Sequence, residues 1–144
     1  MEGLDKYAKI VYSHAVGEAC LSERNALTAD FYLTSVNATA MDGHIVNIDG
    51  TGNRVAATCF EPKRVIYFVG KNKIVNTLEN ALIRAKKTAV QLTQIYKRKT
   101  PCVITGKCEK WFSSDCICSV TTIHRKKPRG LDISVFLINE DLGV

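Results

Sequence analysis

Apolar positions recur with two different periods along this chain, and the changes of period mark its elements. A short amphipathic helix is predicted near the N-terminus, where apolar residues recur at helical spacing, at Leu4, Tyr7, Ala8 and Val11. A β-rich run follows at residues 31–34. Residues 39–40 and 45–46 then flank an Asp-Gly pair, Asp42-Gly43, which predicts a β-hairpin.

The middle of the chain carries the strongest strand and helix signals. Residues 64–69 form a continuous apolar, β-branched run bounded by Pro62 and Gly70, which favours a strand buried on both faces. The next segment predicts a long helix, with Asn76 and Glu79 as a capping pair. Its apolar stripe consists of Leu78, Leu82, Ala85, Ala89, Leu92 and Tyr96.

Two further β segments, at about 118–125 and at 133–138, close the chain. Strands and helices therefore alternate through most of the sequence. This order predicts a single α/β domain over residues 1–144, with a mixed, mostly parallel sheet flanked by helices.

Composition narrows the function classes. Apolar residues make up 46% of the chain and charged residues 24%, which is ordinary for a globular protein. No apolar run reaches membrane-spanning length, and the N-terminus lacks signal-peptide order, so a cytoplasmic protein without membrane contact is expected. The net charge of +6 comes visibly from two basic runs, 97–99 and 125–129, which lack interleaved aromatic residues. They indicate solvated surface rather than a nucleic-acid interface.

The most informative stretch is a glycine-rich loop at residues 49–54, Asp-Gly-Thr-Gly-Asn-Arg. Glycines let a backbone approach a ligand closely, and a helix starting near Arg54 would present free N–H groups to the loop. Such a place attracts phosphate or carboxylate. The alternative is a tight turn whose polar residues only cap the helix.

Three segments resemble the lactate-utilisation (LUD) family. They are residues 28–75, which include MDGHIVNIDGTGNR, then TPCVITGKC at 100–108 and NEDLG at 139–143. The resemblance runs from about 28 to 144. More distantly, the middle segment is similar to sugar-phosphate isomerases, glucosamine-phosphate deaminases and CoA-transferases, which share one α/β fold.

This resemblance implies a pocket for a phosphate, carboxylate or acyl-thioester ligand. Beside Asp42, the residues it places around the pocket are Ser35, Asn37, Asn47, Asp49, Gly50, Thr51 and Gly52, and the loop adds Asn53 and Arg54. LUD proteins of this type usually carry additional N-terminal residues with a Gly-Gly-Ser loop. Their absence is expected to uncover a sheet edge, which a second copy of the chain would cover in a homo-oligomer.

Catalytic candidates are few. Asp42, Asp49 and Glu140 are the carboxylates considered as general bases, without a partner identifiable from sequence. Lys73 follows the buried strand, where α/β sheets place ligand residues, although a solvent-facing lysine is the simpler interpretation.

Six cysteines are many for this length, and four of them fall between residues 102 and 118. Cys20 and Cys59 stand alone in apolar stretches and are predicted to be buried. The spacing of Cys102, Cys108, Cys116 and Cys118 fits neither zinc ribbons nor ferredoxin clusters. Related LUD proteins resemble TPC…TGxCxDCxSPxxxC, where Trp111 here replaces the middle cysteine. A packed loop of reduced thiols, a metal or iron–sulfur site, and a redox disulfide remain open.

The resemblance implies a role in lactate or organic-acid utilisation. We expect the chain to bind a small anion as an accessory component beside iron–sulfur and flavin oxidoreductases. An isomerase- or transferase-like enzyme using Asp42 or Asp49 with Lys73 is the alternative. A shortened, non-catalytic assembly protein is a third possibility.

Overall fold

The computed structural model describes residues 6–9, 19–109 and 113–144. Its elements follow one another as α1 (Ala19–Leu27), β1 (Phe31–Thr34), β2 (Ala38–Ala40), β3 (Ile45–Asp49), α2 (Asn53–Cys59), β4 (Arg64–Gly70), a 3₁₀ turn (Lys71–Lys73), β5 (Ile74–Val75), α3 (Leu78–Ile95), α4 (Pro101–Thr105), β6 (Val120–His124) and β7 (Asp132–Ile138).

The strands form two sheets. The first is fully parallel, with the order β1-β4-β7. The second has the order β5-β2-β3-β6, in which β5 and β2 are parallel and the other pairs are antiparallel. Parallel pairings are therefore in the majority, and the predicted α/β class with a mixed, mostly parallel sheet is confirmed.

The two sheets and α3 form three layers with the mixed sheet in the middle. Between the sheets lies a core cluster built from Val36, Ile45, Val65, Tyr67, Val69 and Leu131. On its other face the mixed sheet packs against α3 through Ala38, Ala40, Val46, Ile48, Ala81 and Ala85. The small alanine side chains allow the helix to approach the sheet closely, so this second core is thin and dense.

The strand that is buried on both faces is β3, not β4. Ile45 to Ile48 of β3 are all buried, because β3 lies in the middle layer. In β4 the side chains that face the mixed sheet, Val65, Tyr67 and Val69, are buried, whereas Phe68 on the opposite face is 39% exposed. The outer face of the parallel sheet, which carries Phe31, Leu33 and Phe136 beside Phe68, remains open in the described part of the chain. The prediction of a doubly buried β4 was therefore wrong.

The predicted hairpin is confirmed. Strands β2 and β3 are antiparallel, and the Ala40 N–H donates to the His44 carbonyl at 2.9 Å across the turn. Gly43 adopts a φ of +93°, which an Asp-Gly turn supplies without strain.

The long helix is also confirmed, but its ends differ from the prediction. Thr77 caps it by accepting a hydrogen bond from the Asn80 N–H at 3.2 Å, one residue after the predicted Asn76. Tyr96 lies just after the last turn and is 64% exposed, so it does not continue the apolar stripe.

The remaining predictions have mixed outcomes. The two C-terminal β segments are β6 and β7, which join different sheets. Both basic runs, 97–99 and 125–127, are exposed, as predicted. The predicted N-terminal helix lies largely outside the described residues. In the described ranges, no helix combines the length and apolar character that a bilayer crossing requires.

The residues after β7 pack across the end of β4. The Lys71 N–H donates to the Glu140 carbonyl at 3.0 Å, and the side chain of Asn72 accepts from Leu142 N–H and donates to the Gly143 carbonyl. A Cβ added at Gly70 would lie 2.6 Å from Leu142 N and 2.8 Å from the Glu140 oxygen. Glycine at position 70 therefore permits this close approach.

We predict that Gly70→Ala destabilises the fold by about 1–3 kcal/mol, because the new methyl group overlaps backbone atoms that are fixed by hydrogen bonds. The matched control is Gly130→Ala, since a Cβ at Gly130 meets nothing within 4 Å. Urea unfolding of both variants measures the difference. Equal stability of the two variants would contradict the packing described for Gly70.

Candidate functional site

The three parallel strands end at one edge of their sheet, and polar residues gather there. Ser35 directly follows β1, and Lys73 closes the turn after β4. The Lys73 Nζ donates to Ser35 Oγ at 3.1 Å, and Ser35 Oγ donates to the Phe68 carbonyl at 2.7 Å. In α/β sheets the carboxyl edge of parallel strands is the usual position of ligand sites.

Lys73 is unusual because it is buried, with 7% of its surface exposed. Burial lowers the pKa of its ammonium group, and the positive charges of Arg84 and Arg54 lower the pKa further. Lys73 therefore lies just after the carboxyl end of β4, where α/β sheets usually place ligand residues. The simpler expectation of a solvent-facing side chain was wrong.

Arg84 reaches the same place from α3. Its guanidinium donates to the Asn72 carbonyl at 2.8 Å and to Thr88 Oγ1 at 3.0 Å. It also donates to the Asn37 carbonyl. All three acceptors are neutral oxygens, and burial lowers the pKa of Arg84. Among the residues that the structure describes, no carboxylate lies within 4.0 Å of the Lys73 or Arg84 nitrogens.

Asn37 connects these cations to the middle sheet. Its Oδ1 accepts from the Ile48 N–H at 2.9 Å and from Arg54 Nη2 at 3.1 Å. Its own N–H donates to Asn47 Oδ1 at 3.1 Å. We call Ser35, Asn37, Arg54, Lys73 and Arg84 the basic site.

The glycine-rich loop positions Arg54 through Asp49. The Asp49 carboxylate accepts a hydrogen bond from the Val55 N–H at 3.2 Å. It therefore already satisfies one of the free N–H donors in the first turn of α2. It lies 3.8 Å from Arg54 Nε, while Arg54 Nη2 donates to the Ile48 carbonyl at 2.7 Å. The arginine consequently turns inward, toward Asn37.

Six of the residues that the sequence singled out therefore lie in two hydrogen-bonded groups that Arg84 bridges through the Asn37 and Asn72 carbonyls. Ser35 and Lys73 form one group, and Asn37, Asn47 and Arg54 form the other, with Asp49 beside Arg54. Gly50 and Thr51 are exposed, and Gly52 adopts a φ of +92° at the start of α2. Asn53 opens α2. Ligand binding by the residues of this loop stays a prediction.

Asp42 lies elsewhere, in the exposed hairpin turn. Its Oδ1 is 2.7 Å from His44 Nδ1 and accepts from the His44 N–H at 3.2 Å. These hydrogen bonds lower the pKa of Asp42. Its partner His44, two residues further along, escaped the sequence reasoning. Glu140 is exposed, and its backbone carbonyl rather than its carboxylate joins the strand edge.

Sequence reasoning also missed Arg84. The signal available was a long cation on the helix face that carries the small residues Ala81, Ala85 and Thr88. Because those neighbours are short, the arginine can extend past them to the strand ends.

The four clustered cysteines line one cavity of about 350 Å³ between α3 and α4. We call this the cysteine cavity, after Cys102, Cys108, Cys116 and Cys118. Cys102 Sγ lies 3.1 Å from Thr100 Oγ1 and 3.5 Å from Thr93 Oγ1. Burial raises the pKa of the Cys118 thiol to about 12, and the neighbouring thiols, first Cys116, add to the effect.

All five cysteines with described side chains are free thiols. In the described ranges, no three His, Cys, Asp or Glu side chains stand together as a ready metal site. Cys59 is exposed at the end of α2, 3.8 Å from His124 Nε2, so its predicted burial was wrong. Cys20 and Trp111 have no described side chain.

Fold and site together define an α/β protein with a basic site at the carboxyl edge of its parallel strands. The LUD domain profile matches residues 3–138. The chain therefore belongs to the LUD domain family, as its sequence suggested, and the match begins earlier than residue 28. No curated protein matches it.

One similar solved structure is a DUF162 family protein from Deinococcus radiodurans, with 18% sequence identity and a TM-score of 0.39. The match covers 80% of this chain and 57% of that protein. The chain thus spans little more than half of that protein's length.

The lowered pKa of Lys73 predicts a pH-dependent stability. Between the lowered pKa and the usual value of 10.5, the unfolded chain binds more protons than the folded chain, so stability from this group rises with pH. We therefore expect Lys73→Met to be more stable relative to wild type at neutral pH than at about pH 10.

Urea unfolding across this range measures that difference in unfolding free energy. Lys71→Met, which removes an exposed lysine from the same turn, corrects for the loss of one positive charge. If the stability of Lys73→Met relative to wild type stays constant or increases as the pH rises, the assignment of a lowered pKa to Lys73 is contradicted.

Proposed function

We propose that this LUD-family chain binds a small organic anion, with a carboxylate as its charged group, at the basic site. One observation carries the proposal: Lys73 and Arg84 are held close together, with only neutral oxygens as their described partners. Burying like charges side by side costs free energy, and a bound carboxylate would offset that cost.

The donors available support this choice of ligand. An ammonium group has three N–H donors, and Lys73 directs one of them to Ser35 Oγ. Arg54 adds a third positive charge on the far side of Asn37. Charge-assisted hydrogen bonds of this kind are stronger than neutral ones and favour carboxylate or phosphate.

The proposal extends to the cellular role that the family's name suggests. We infer that the anion belongs to lactate or organic-acid utilisation, and that the chain works as an accessory component beside iron–sulfur and flavin oxidoreductases. The glycine-rich loop would contribute through Asp49 and Arg54, which join the basic site to α2. The open apolar face of the parallel sheet supports a homo-oligomer.

The alternative is isomerase- or transferase-like catalysis. Lys73 favours it, because a lysine with a lowered pKa is a better general base than an ordinary one. Asp49 lies 3.8 Å from Arg54 Nε of the basic site, whereas Asp42 is engaged with His44 in the hairpin turn. Turnover of a bound phosphosugar or acyl-CoA compound would favour this alternative over simple binding.

The test is titration of the protein with lactate, a sugar phosphate and an acyl-CoA compound, followed by calorimetry and thermal unfolding. Lactate at about 100 times its dissociation constant should stabilise the fold by about 2.7 kcal/mol. Lys73→Met and Arg84→Met should each weaken binding by about tenfold to a hundredfold, because each removes a charge-assisted hydrogen bond.

Lys71→Met serves as the matched control, since Lys71 is exposed and lies in the same turn as Lys73. It should bind lactate like the wild type. Failure of every anion to bind, or equal weakening by Lys71→Met and Lys73→Met, would refute the basic site as the ligand site.

A further inference from the structure

A short segment, residues 139–144, crosses the end of β4, and we call it the strap. It follows β7 directly and forms neither helix nor strand. Its first attachment is to the backbone, where the Lys71 N–H donates to the Glu140 carbonyl at 3.0 Å. Residues 139–141 and 143 are exposed, so most of the strap faces solvent on its outer side.

The far end of the strap is attached through a single side chain. Asn72 accepts a hydrogen bond from the Leu142 N–H at 3.2 Å and donates one to the Gly143 carbonyl at 3.1 Å. Within the described ranges, residues 141–144 make no other hydrogen bond to the rest of the chain. The position of this end therefore depends on the side chain of Asn72.

This end of the strap lies against the Lys73 end of the basic site. A Cβ added at Gly143 would lie 3.5 Å from Lys73 Nζ, so the backbone of Gly143 is next to the ammonium group. Lys73 is only 7% exposed, although Ser35 and Asn72 beside it are half-buried. The strap is thus part of the cover that keeps solvent away from Lys73 Nζ.

Asn72 contacts the strap and the basic site through two different groups. Its side chain holds the strap, whereas its backbone carbonyl accepts from Arg84 Nε at 2.8 Å. That carbonyl belongs to the peptide bond that leads into Lys73. Replacing the side chain with alanine therefore releases the strap and keeps the acceptor for Arg84.

We propose that the strap is a gate over Lys73, which the side chain of Asn72 holds closed. Its purpose rests on the proposed function, because an anion can reach the buried Lys73 Nζ only when part of the cover moves aside. Strands β1 and β4 are fixed by their parallel ladder, whereas residues 141–144 are fixed by two side-chain hydrogen bonds. Segments attached in this way open locally at a lower free energy than a sheet does.

The test compares Asn72→Ala with the wild type, using the full chain. Acetylation by an N-hydroxysuccinimide ester, followed by mass spectrometry of the peptides, measures how often the Lys73 amine is accessible. Asn72→Ala should speed the acetylation of Lys73 by about tenfold, because it removes both hydrogen bonds that close the gate. Lys71, which is exposed in the same turn, is the internal reference and should react at an unchanged rate.

Asn139→Ala is the matched control, because Asn139 is an exposed asparagine of the strap whose side chain has no hydrogen bond to the described residues. Lys73 should react in this variant as in the wild type. Amide hydrogen exchange then locates the opening. In Asn72→Ala the Leu142 amide should exchange faster, whereas the Val46 amide in β3 should stay protected.

Three outcomes would overturn the proposal. The first is equal acetylation of Lys73 in Asn72→Ala and the wild type, and the second is an equal increase in Asn139→Ala. The third is loss of protection at Val46 in Asn72→Ala, which would mean that reagent reaches Lys73 through general unfolding.

Lactate tests the proposed function separately. If the proposed function holds, Asn72→Ala should also speed the association of lactate, and an unchanged association rate would refute the gate. If lactate binds neither protein while Lys73 is acetylated faster in Asn72→Ala, the proposed function fails and the gate over Lys73 stands.

Discussion

Two neighbouring cations, the buried Lys73 and the half-buried Arg84, tie together the strand ends on which the rest of this structure depends. Lys73 and Arg84 lie at the carboxyl edge of the parallel strands, where water cannot fully solvate them. Such charges require hydrogen-bond acceptors, and the fold supplies Ser35 Oγ and the carbonyls of Asn37 and Asn72. The backbone between β1 and β2 and the turn after β4 are therefore held in place by the same two side chains.

Because β3 lies in the middle layer, this one short strand contacts both the basic site and the cysteine cavity. On one side of the chain, the Ile48 N–H and carbonyl bind Asn37 and Arg54 of the basic site. The Ile48 side chain points the other way, into the core against α3, and lines the cysteine cavity. Because β3 is buried on both faces, it cannot shift toward one site without disturbing the other.

Sequence patterns predicted the elements well where periodicity was strong. Phe31–Thr34, the Asp42-Gly43 hairpin and the long helix were all predicted, because each depends on neighbours in sequence. Burial was predicted less well: whether a strand is covered on one face or two depends on the layer it joins, which apolar content alone does not reveal. Arg84 was missed because its role also depends on the tertiary fold. Its partners Asn37 and Asn72 lie in other elements, far from it in sequence.

The glycine-rich loop illustrates how one sequence signal can have two physical origins. A Cβ at Gly50 would lie 2.8 Å from the Ile117 carbonyl oxygen, so glycine is needed there for packing against the cysteine-bearing segment. The Ser119 N–H strengthens that contact by donating to the Asp49 carbonyl at 2.9 Å. The Asp49 side chain meanwhile binds the Val55 amide. The loop thus fixes Cys118 on one side and Arg54 on the other. Gly50 is required for this packing, and Gly52 for its φ of +92°, whether or not an anion also binds there.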